Sequence, residues 1–305
     1  NNRGISIRTL LKKIFSRNDL WSTAIFEANE IDFGNISLKL SRVFSARKIR
    51  LNSMLPHTLA DPFLMVWGNA LYIFLESQSP RHQGKIIGYR TTDLNNYQSL
   101  GTILEEDHHL SYPFVFNYDD SQYLIPESES AGEVALYKFE DFPYRPKKIK
   151  VLLCGNYHDS SLFYHHKIWY LFTTSNKGLE IFWAENLMES NFQPHAGNPI
   201  TNNPKFSRSA GSIFIINNKI FRPCQDCSNS YGENIHIMEI TNLSCHKYSE
   251  RKIYNNFFNS TFSKWNKNGG HHLSIVNFMD KYIIATDKKH YDLYINKFLS
   301  ILSRL

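Results

Sequence analysis

Ala60-Asp61-Pro62-Phe63-Leu64, followed by Leu71-Tyr72-Ile73-Phe74-Leu75-Glu76, is the phrase from which the fold is read. A polar residue opens a short apolar strand, Gly68-Asn69 turns the chain, and a second apolar strand returns. The phrase recurs four times. Tyr112-Pro113-Phe114-Val115-Phe116 turns at Asp119-Asp120 into Tyr123-Leu124-Ile125-Pro126-Glu127. Asp159-Ser160-Ser161-Leu162-Phe163 turns at His166-Lys167 into Trp169-Tyr170-Leu171-Phe172. Arg208-Ser209-Ala210-Gly211 leads through Asn217-Asn218 to Ile220-Phe221-Arg222, and His271-His272-Leu273 leads past Asp280-Lys281 to Tyr282-Ile283-Ile284-Ala285. The starts at 61, 112, 159, 208 and 271 are separated by 51, 47, 49 and 63 residues.

A period near fifty with several short strands per unit is the sequence sign of a β-propeller, in which each sheet buries its faces against its neighbours. Five repeats predict an all-β, five-bladed β-propeller. The residues opening each phrase then ring one mouth of the central channel. They are Asp61, Tyr112, Asp159, Arg208 and the pair His271-His272. A purely structural repeat has no need of ionisable openers, so this ring is the predicted functional site.

Composition narrows the class. In 305 residues, 42% hydrophobic and 14% aromatic content is ample for a core, and a net charge of +6 is modest beside 28 acidic residues. No recognition motif accompanies that charge, so nucleic acid is not expected. The four cysteines make no disulfide scaffold, and Cys224-Gln225-Asp226-Cys227 lacks the second pair that a zinc site requires. No metal and no cofactor are expected. No apolar run reaches the ~18 residues of a membrane span and no leader is visible, which predicts a cytoplasmic protein. The chain begins at Asn1 rather than Met, as a piece of a longer protein would.

Along the chain, residues 1–50 read as an amphipathic basic helix over residues 1–20 followed by ring-closing strands. Ile7, Leu10, Leu11 and Ile14 recur at helical spacing among Arg8, Lys12 and Lys13. Residues 51–290 read as the propeller, and 291–305 as a second short amphipathic helix with Lys297 and Arg304. Such helices dock on the body, or contact an anionic membrane surface peripherally. Asp61 is a predicted base or acceptor for sugar hydroxyls, with the capping of a turn as the plainer alternative. Glu127 ends its apolar strand at the phase of Glu76, and two carboxylates from adjacent blades suit acid–base work on a glycosidic bond. Asp159 is a third carboxylate that either joins them or satisfies backbone donors. Blade four offers Arg208, Arg222, Gln225, Asp226 and Tyr231. Its two arginines suggest a grip on a carboxylate or phosphate, unless Arg222 pairs internally with Asp226. Tyr112, His271 and His272 complete the predicted binding set.

In order along the chain, Ala-Asp-Pro-Phe-Leu, His-Leu-Ser-Tyr-Pro-Phe-Val-Phe, Ile-Pro-Glu-Ser, His-Asp-Ser-Ser, Arg-Ser-Ala-Gly, Arg-Pro-x-Gln-Asp, Tyr-Gly and Gly-x-His-His appear between about residues 50 and 290. This set resembles the N-terminal domain of plant glucosamine inositolphosphorylceramide transferases and their bacterial relatives, some of them fused to formyltransferase-like domains. That domain is in turn similar to the propellers of arabinanase- and levansucrase-type glycoside hydrolases. The resemblance implies glycan, surface-polysaccharide or glycolipid metabolism. It implies a sugar, sugar-phosphate or nucleotide-sugar ligand, and a glycosyltransferase or formyltransferase-like partner. It matches Asp61 to the hydrolases' first-blade aspartate. Phe114 stands where their second-blade aspartate is expected, and Asp159 where their third-blade glutamate is. These departures either move the acid to Glu127, Asp159 or Asp226, or imply transfer or non-catalytic presentation of a glycan to a partner.

Overall fold

The computed structural model describes residues 17–33, 36–45, 58–79, 82–254 and 268–293. In chain order the strands are β1 (Arg17–Ala28), β2 (Lys39–Phe44), β3 (Thr58–Trp67), β4 (Ala70–Ser79), β5 (His82–Thr91) and β6 (Gln98–Leu104). Then come β7 (Ser111–Tyr118), β8 (Ser121–Glu127), β9 (Glu133–Asp141), β10 (Tyr144–Cys154), β11 (His158–His165), β12 (Ile168–Ser175), β13 (Gly178–Ala184) and β14 (Gln193–Pro194). The last are β15 (Arg208–Ser209), β16 (Phe214–Ile216), β17 (Lys219–Asp226), β18 (Asn234–Leu243), β19 (Tyr248–Tyr254), β20 (Leu273–Phe278) and β21 (Lys281–Leu293). Among the described residues the only helical segment is a 3₁₀ turn, Glu129–Ala131.

The strands form four hydrogen-bonded sheets. Two are plain antiparallel meanders, β7 to β10 and β11 to β14, and a third runs β15-β17-β18-β19 with β16 on β17. The largest runs β20-β21-β1-β3-β4-β5-β6, with β2 on β1. Its two halves meet at a single parallel pair, Trp21 with Thr58. One half is therefore the β3–β6 meander. The other joins the chain's first strands, β1 and β2, to its last, β20 and β21.

That junction is a ladder from Arg17↔Leu293 to Ala28↔Tyr282. It corrects the expected helix over residues 1–20, because Arg17 to Leu20 are strand. Periodicity is a local preference, and pairing along a whole neighbouring strand overrides it. β21 likewise continues past the expected boundary at 290. The rest of the two expected terminal helices lies outside the described residues.

The arrangement is propeller-like. Apolar clusters fill the wedges between neighbouring sheets, with Phe63, Tyr112, Leu136 and Leu171 in one and Phe163, Phe172, Ile213 and Ile240 in another. At the axis the opening segments are tied in a closed circle. Tyr112 N–H donates to Asp61 (3.1 Å), Asp159 N–H to Glu127 (2.9 Å), Leu273 N–H to Ala210 (2.7 Å) and Asp61 N–H to Asp287 (3.3 Å). Arg208 closes the remaining gap through Asp159.

Three openings share one local device. The registers of β3, β7 and β11 slip at Ala60/Phe63, Ser111/Phe114 and His158/Ser161. At those bulges Asp61, Tyr112 and Asp159 take φ of 50°, 43° and 50°. Left-handed backbone at a non-glycine costs about 1–2 kcal/mol, and bulges re-aim side chains. At the opening of the β15–β19 sheet Gly211 takes the corresponding place at φ 127°, where a Cβ would fall 2.0 Å from the Leu273 carbonyl oxygen.

Ile25 on β1 is fully buried between the joined ends. Ile25→Ala is expected to lower the melting temperature by roughly 5–15 °C, from a cavity cost of about 2–5 kcal/mol. An unchanged melting temperature in calorimetry would show that the terminal ladder does not carry the ring.

Candidate functional site

The end of the axis where the opening strands begin holds a cavity of about 220 Å³. Asp61, Glu76, Glu127, Asp159, Arg208 and His271 line it. Tyr231 and Trp21 form an aromatic wall, with Trp21 stacked on the His271 ring at 4.1 Å and Tyr231 edge-on to it at 5.1 Å. The space is below the ~300–1,000 Å³ typical of drug-sized ligands, and suits one small ring.

Asp61 sits at the centre. Its Oδ2 accepts the Tyr112 N–H, and its Oδ1 lies 3.6 Å from both His271 Nε2 and His272 Nδ1. Burial favours the neutral acid, but the two histidines hold Asp61 below the usual carboxylate range. Behind it, Asp287 accepts the His271 and His272 N–H groups at 2.8 and 3.1 Å, and lies 2.6 Å from His271 Nδ1. Burial alone would lower the His271 imidazole, but Asp287 and then Asp61 raise it to about 9.

The other carboxyls diverge. Burial, then the charge of Asp61, pushes Glu76 well above the usual range. His109 Nε2 stands 3.5 Å from it. Burial also opposes the charge on Glu127, but His158 at 3.5 Å and Arg208 bring it below its ordinary value. Asp159 Oδ2 accepts from Arg208 Nε at 2.5 Å and Gln225 Nε2 at 3.1 Å, yet burial raises its pKa to about 6. Carboxyls in one cavity whose protonation is driven apart are the arrangement that acid–base catalysis uses. Burial and the charge of Asp61 favour the neutral form of Glu76, while the histidines favour the charged form of Asp61.

Of the residues singled out from the sequence, Asp61, Glu127, Asp159, Arg208, Tyr231 and His271 meet at this cavity. Five do not. Tyr112 is fully buried; its hydroxyl donates to the Gly211 carbonyl (3.1 Å), accepts the Gly211 N–H (2.9 Å) and lies 3.0 Å from Ser161 Oγ. It ties three sheets at the axis. His272 is buried beneath Asp61, edge-on to Phe63. Gln225 backs Asp159 and donates also to the Ser209 carbonyl. Asp226 accepts from Ser228 and pairs with His236 at 3.0 Å. Arg222 is buried and engages Glu250 on β19 through Nε (2.8 Å) and Nη2 (2.7 Å), so neither an anionic ligand nor Asp226 is its partner.

The sequence reading passed over two residues of the site, Asp287 and Trp21, and named Glu76 only as the carboxylate in phase with Glu127. Asp287 stands six residues past its hairpin at Lys281, as Glu76 does past Ala70 and Glu127 past Ser121, so a signal existed. Trp21 had none, because only ring closure brings β1 to the axis.

Asp61, His271 and Asp287 offer three possible metal-ligand atoms within 4.8 Å of one another. A cation there would first have to displace the His271 proton, since a metal takes neutral imidazole.

Comparison with known proteins follows the same lines. Residues 42–288 match the family described as glucosamine inositolphosphorylceramide transferase 1, N-terminal. The protein of that name from Arabidopsis thaliana is 35% identical over 239 residues, covering 73% of this chain and 31% of its own length. Its counterpart from Oryza sativa subsp. japonica is 36% identical over 204 residues, 63% of this chain and 27% of its own length. The chain thus spans about a third of these relatives. Among solved structures, an α-L-arabinofuranosidase from Clostridium thermocellum superposes with TM-score 0.57 at 15% identity, covering 74% of this chain and 80% of that one. Another, from Podospora anserina, gives 0.53 at 12% identity, covering 75% and 91%. The fold is that of these carbohydrate-active enzymes.

Two outcomes test this geometry. Tyr112→Phe should cost about 1–3 kcal/mol in urea unfolding, because buried partners at Gly211 and Ser161 lose their bond, while ligand affinity at the cavity stays unchanged. Affinity lost without stability would return Tyr112 to the site. His271 is raised in the folded state, so its contribution is fully present below about 6.5 and is lost as pH climbs through about 9. Stability should fall across that window in the wild type and less in His271→Gln; parallel profiles would refute the paired imidazolium.

Proposed function

This chain belongs to the glucosamine inositolphosphorylceramide transferase N-terminal family, and from that premise we propose that it is a five-bladed, carbohydrate-active unit acting at a glycosidic or glycosyl-phosphate bond. The five blades are β3–β6, β7–β10, β11–β14, β15–β19, and the composite of β20, β21, β1 and β2. The observation that carries the reading is the pair of buried carboxyls, Asp61 and Glu76, lining one ring-sized cavity in surroundings that push their proton affinities in opposite directions. Glu76 gives its proton to the leaving oxygen. Asp61 takes the proton of the attacking hydroxyl, or attacks the sugar itself. Trp21 and Tyr231 supply the apolar wall against which a sugar ring packs.

Charge narrows the sugar. Asp61, Glu127 and Asp159 outnumber the cations Arg208 and His271 at the lining, and just behind it Asp287 is offset by Lys289, whose ammonium stands 5.7 Å over the Trp21 ring. With Arg222 committed to Glu250, Arg208 is the one arginine at the lining among the described residues. The balance disfavours an acidic sugar and favours an amino sugar, whose ammonium gains from the acid excess. The curated relatives' name contains glucosamine, which is such a sugar.

A non-catalytic recognition module is the second reading, favoured by the commitment of Asp159 to Arg208. The test is a thermal-shift panel of glucosamine, glucosamine 1-phosphate and glucuronate, followed by mass spectrometry of incubations of glucosamine 1-phosphate with myo-inositol. Glucosamine compounds should stabilise and glucuronate should not. Turnover should fall by about 10²–10⁴ in Asp61→Asn and in Glu76→Gln. Binding without turnover in the wild type would leave the recognition module standing, and stabilisation by glucuronate alone would overturn the charge argument.

A further inference from the structure

Beside the cavity lies a broader groove of about 630 Å³, over the ends of β11 to β13, and Arg208 is in the wall of both. Resting on the reading of the cavity as a sugar site, we infer that this groove is a second subsite for a polyhydroxylated ring, so that the substrate pair spans two rings across Arg208.

The groove's chemistry is that of hydroxyl recognition. Asn156, Asn176, Lys177 and Glu180 present amide, ammonium and carboxylate groups, while Thr174 and Ser175 beside them spend their hydroxyl protons on the Ser207 carbonyl and on Glu180. A lipid chain would find no aliphatic side chain to bury against, only the Tyr157 ring, whereas a ring bearing several hydroxyls meets both donors and acceptors. Glu180 is buried at the floor, with Oε2 held by Ser175 Oγ at 2.5 Å, so its other oxygen remains as an acceptor.

Tyr157 supplies the aromatic surface that such rings use. Its ring is fixed edge-on by Phe182 at 5.7 Å. Gly155, at φ 137°, lets the loop fold close against it; a Cβ there would stand 3.1 Å from Tyr157 Cε2. The two spaces are also joined electrically. Arg208 bonds Asp159 through Nε and lays its guanidinium over the Tyr231 ring at 5.0 Å, and His158 beside it holds Glu127. A polar group linking the two rings would meet the guanidinium there.

The probes are glucosamine and its β-1,4-linked disaccharide, titrated into the ¹⁵N-labelled full chain. Glucosamine should move the amides of Asp61 and Tyr112. The disaccharide should in addition move Asn156, Tyr157 and Lys177, and bind about tenfold tighter. Tyr157→Ala should abolish that gain without weakening glucosamine. Asn156→Trp, a change at an exposed position that fills the groove, should do the same if Tyr157→Ala fails to fold. Disaccharide shifts confined to the cavity, or a gain that survives both variants, would overturn the groove and leave the cavity reading intact. Shifts in the groove alone would support the groove and overturn the cavity; no shifts with either sugar would overturn both.

Discussion

The twelve-residue ladder between β1 and β21 is the constraint on which the other contacts depend. In a row of sheets each touches only its neighbours, so the structure is a linear array with two free edges. Pairing the first strand with the last removes those edges. Opening the closed ring then requires parting two interfaces at once. It also fixes the axis, because an opener such as Asp61 can reach Asp287 on one side and Tyr112 on the other only when the ring is shut.

Asp61 shows how tightly structure and chemistry are joined here. Its N–H, its two carboxylate oxygens and its left-handed backbone each serve a different neighbour. A residue held in a sparsely populated conformation persists only where its surroundings over-determine it, and such places cluster at functional sites. The same crowding separates the protonation states. Burial alone would neutralise every carboxyl in the cavity. The histidines exempt Asp61, while the charge thus retained adds to the burial of Glu76.

The openers were legible because a repeated phrase places equivalent positions at equivalent distances from the axis. Asp61, Glu127, Asp159, Arg208 and His271 follow from that logic alone. It failed where a side chain's direction or partner came from elsewhere in the chain. Arg222 looked like a binding group because a strand-end arginine is usually one. Its partner, Glu250, lies two strands away in the same sheet, and nothing local announces it. Tyr112 and His272 were placed correctly at the axis, but they lie below the cavity rather than in its wall. One-dimensional spacing cannot distinguish depth along an axis.

The sequence by itself determined an all-β wheel of repeated sheets, the family, and the identity of most groups near the axis. Repeat period, strand alternation and turn residues are local and additive, and they can be read without knowing what packs on what. Only the tertiary structure decided which acid is pushed toward its neutral form, which arginine reaches the cavity, and that Trp21 from the far end of the chain walls the site. Those properties depend on burial and on charges brought together across many residues, and the electrostatic energy of a group is set by its spatial neighbours rather than by its sequence neighbours.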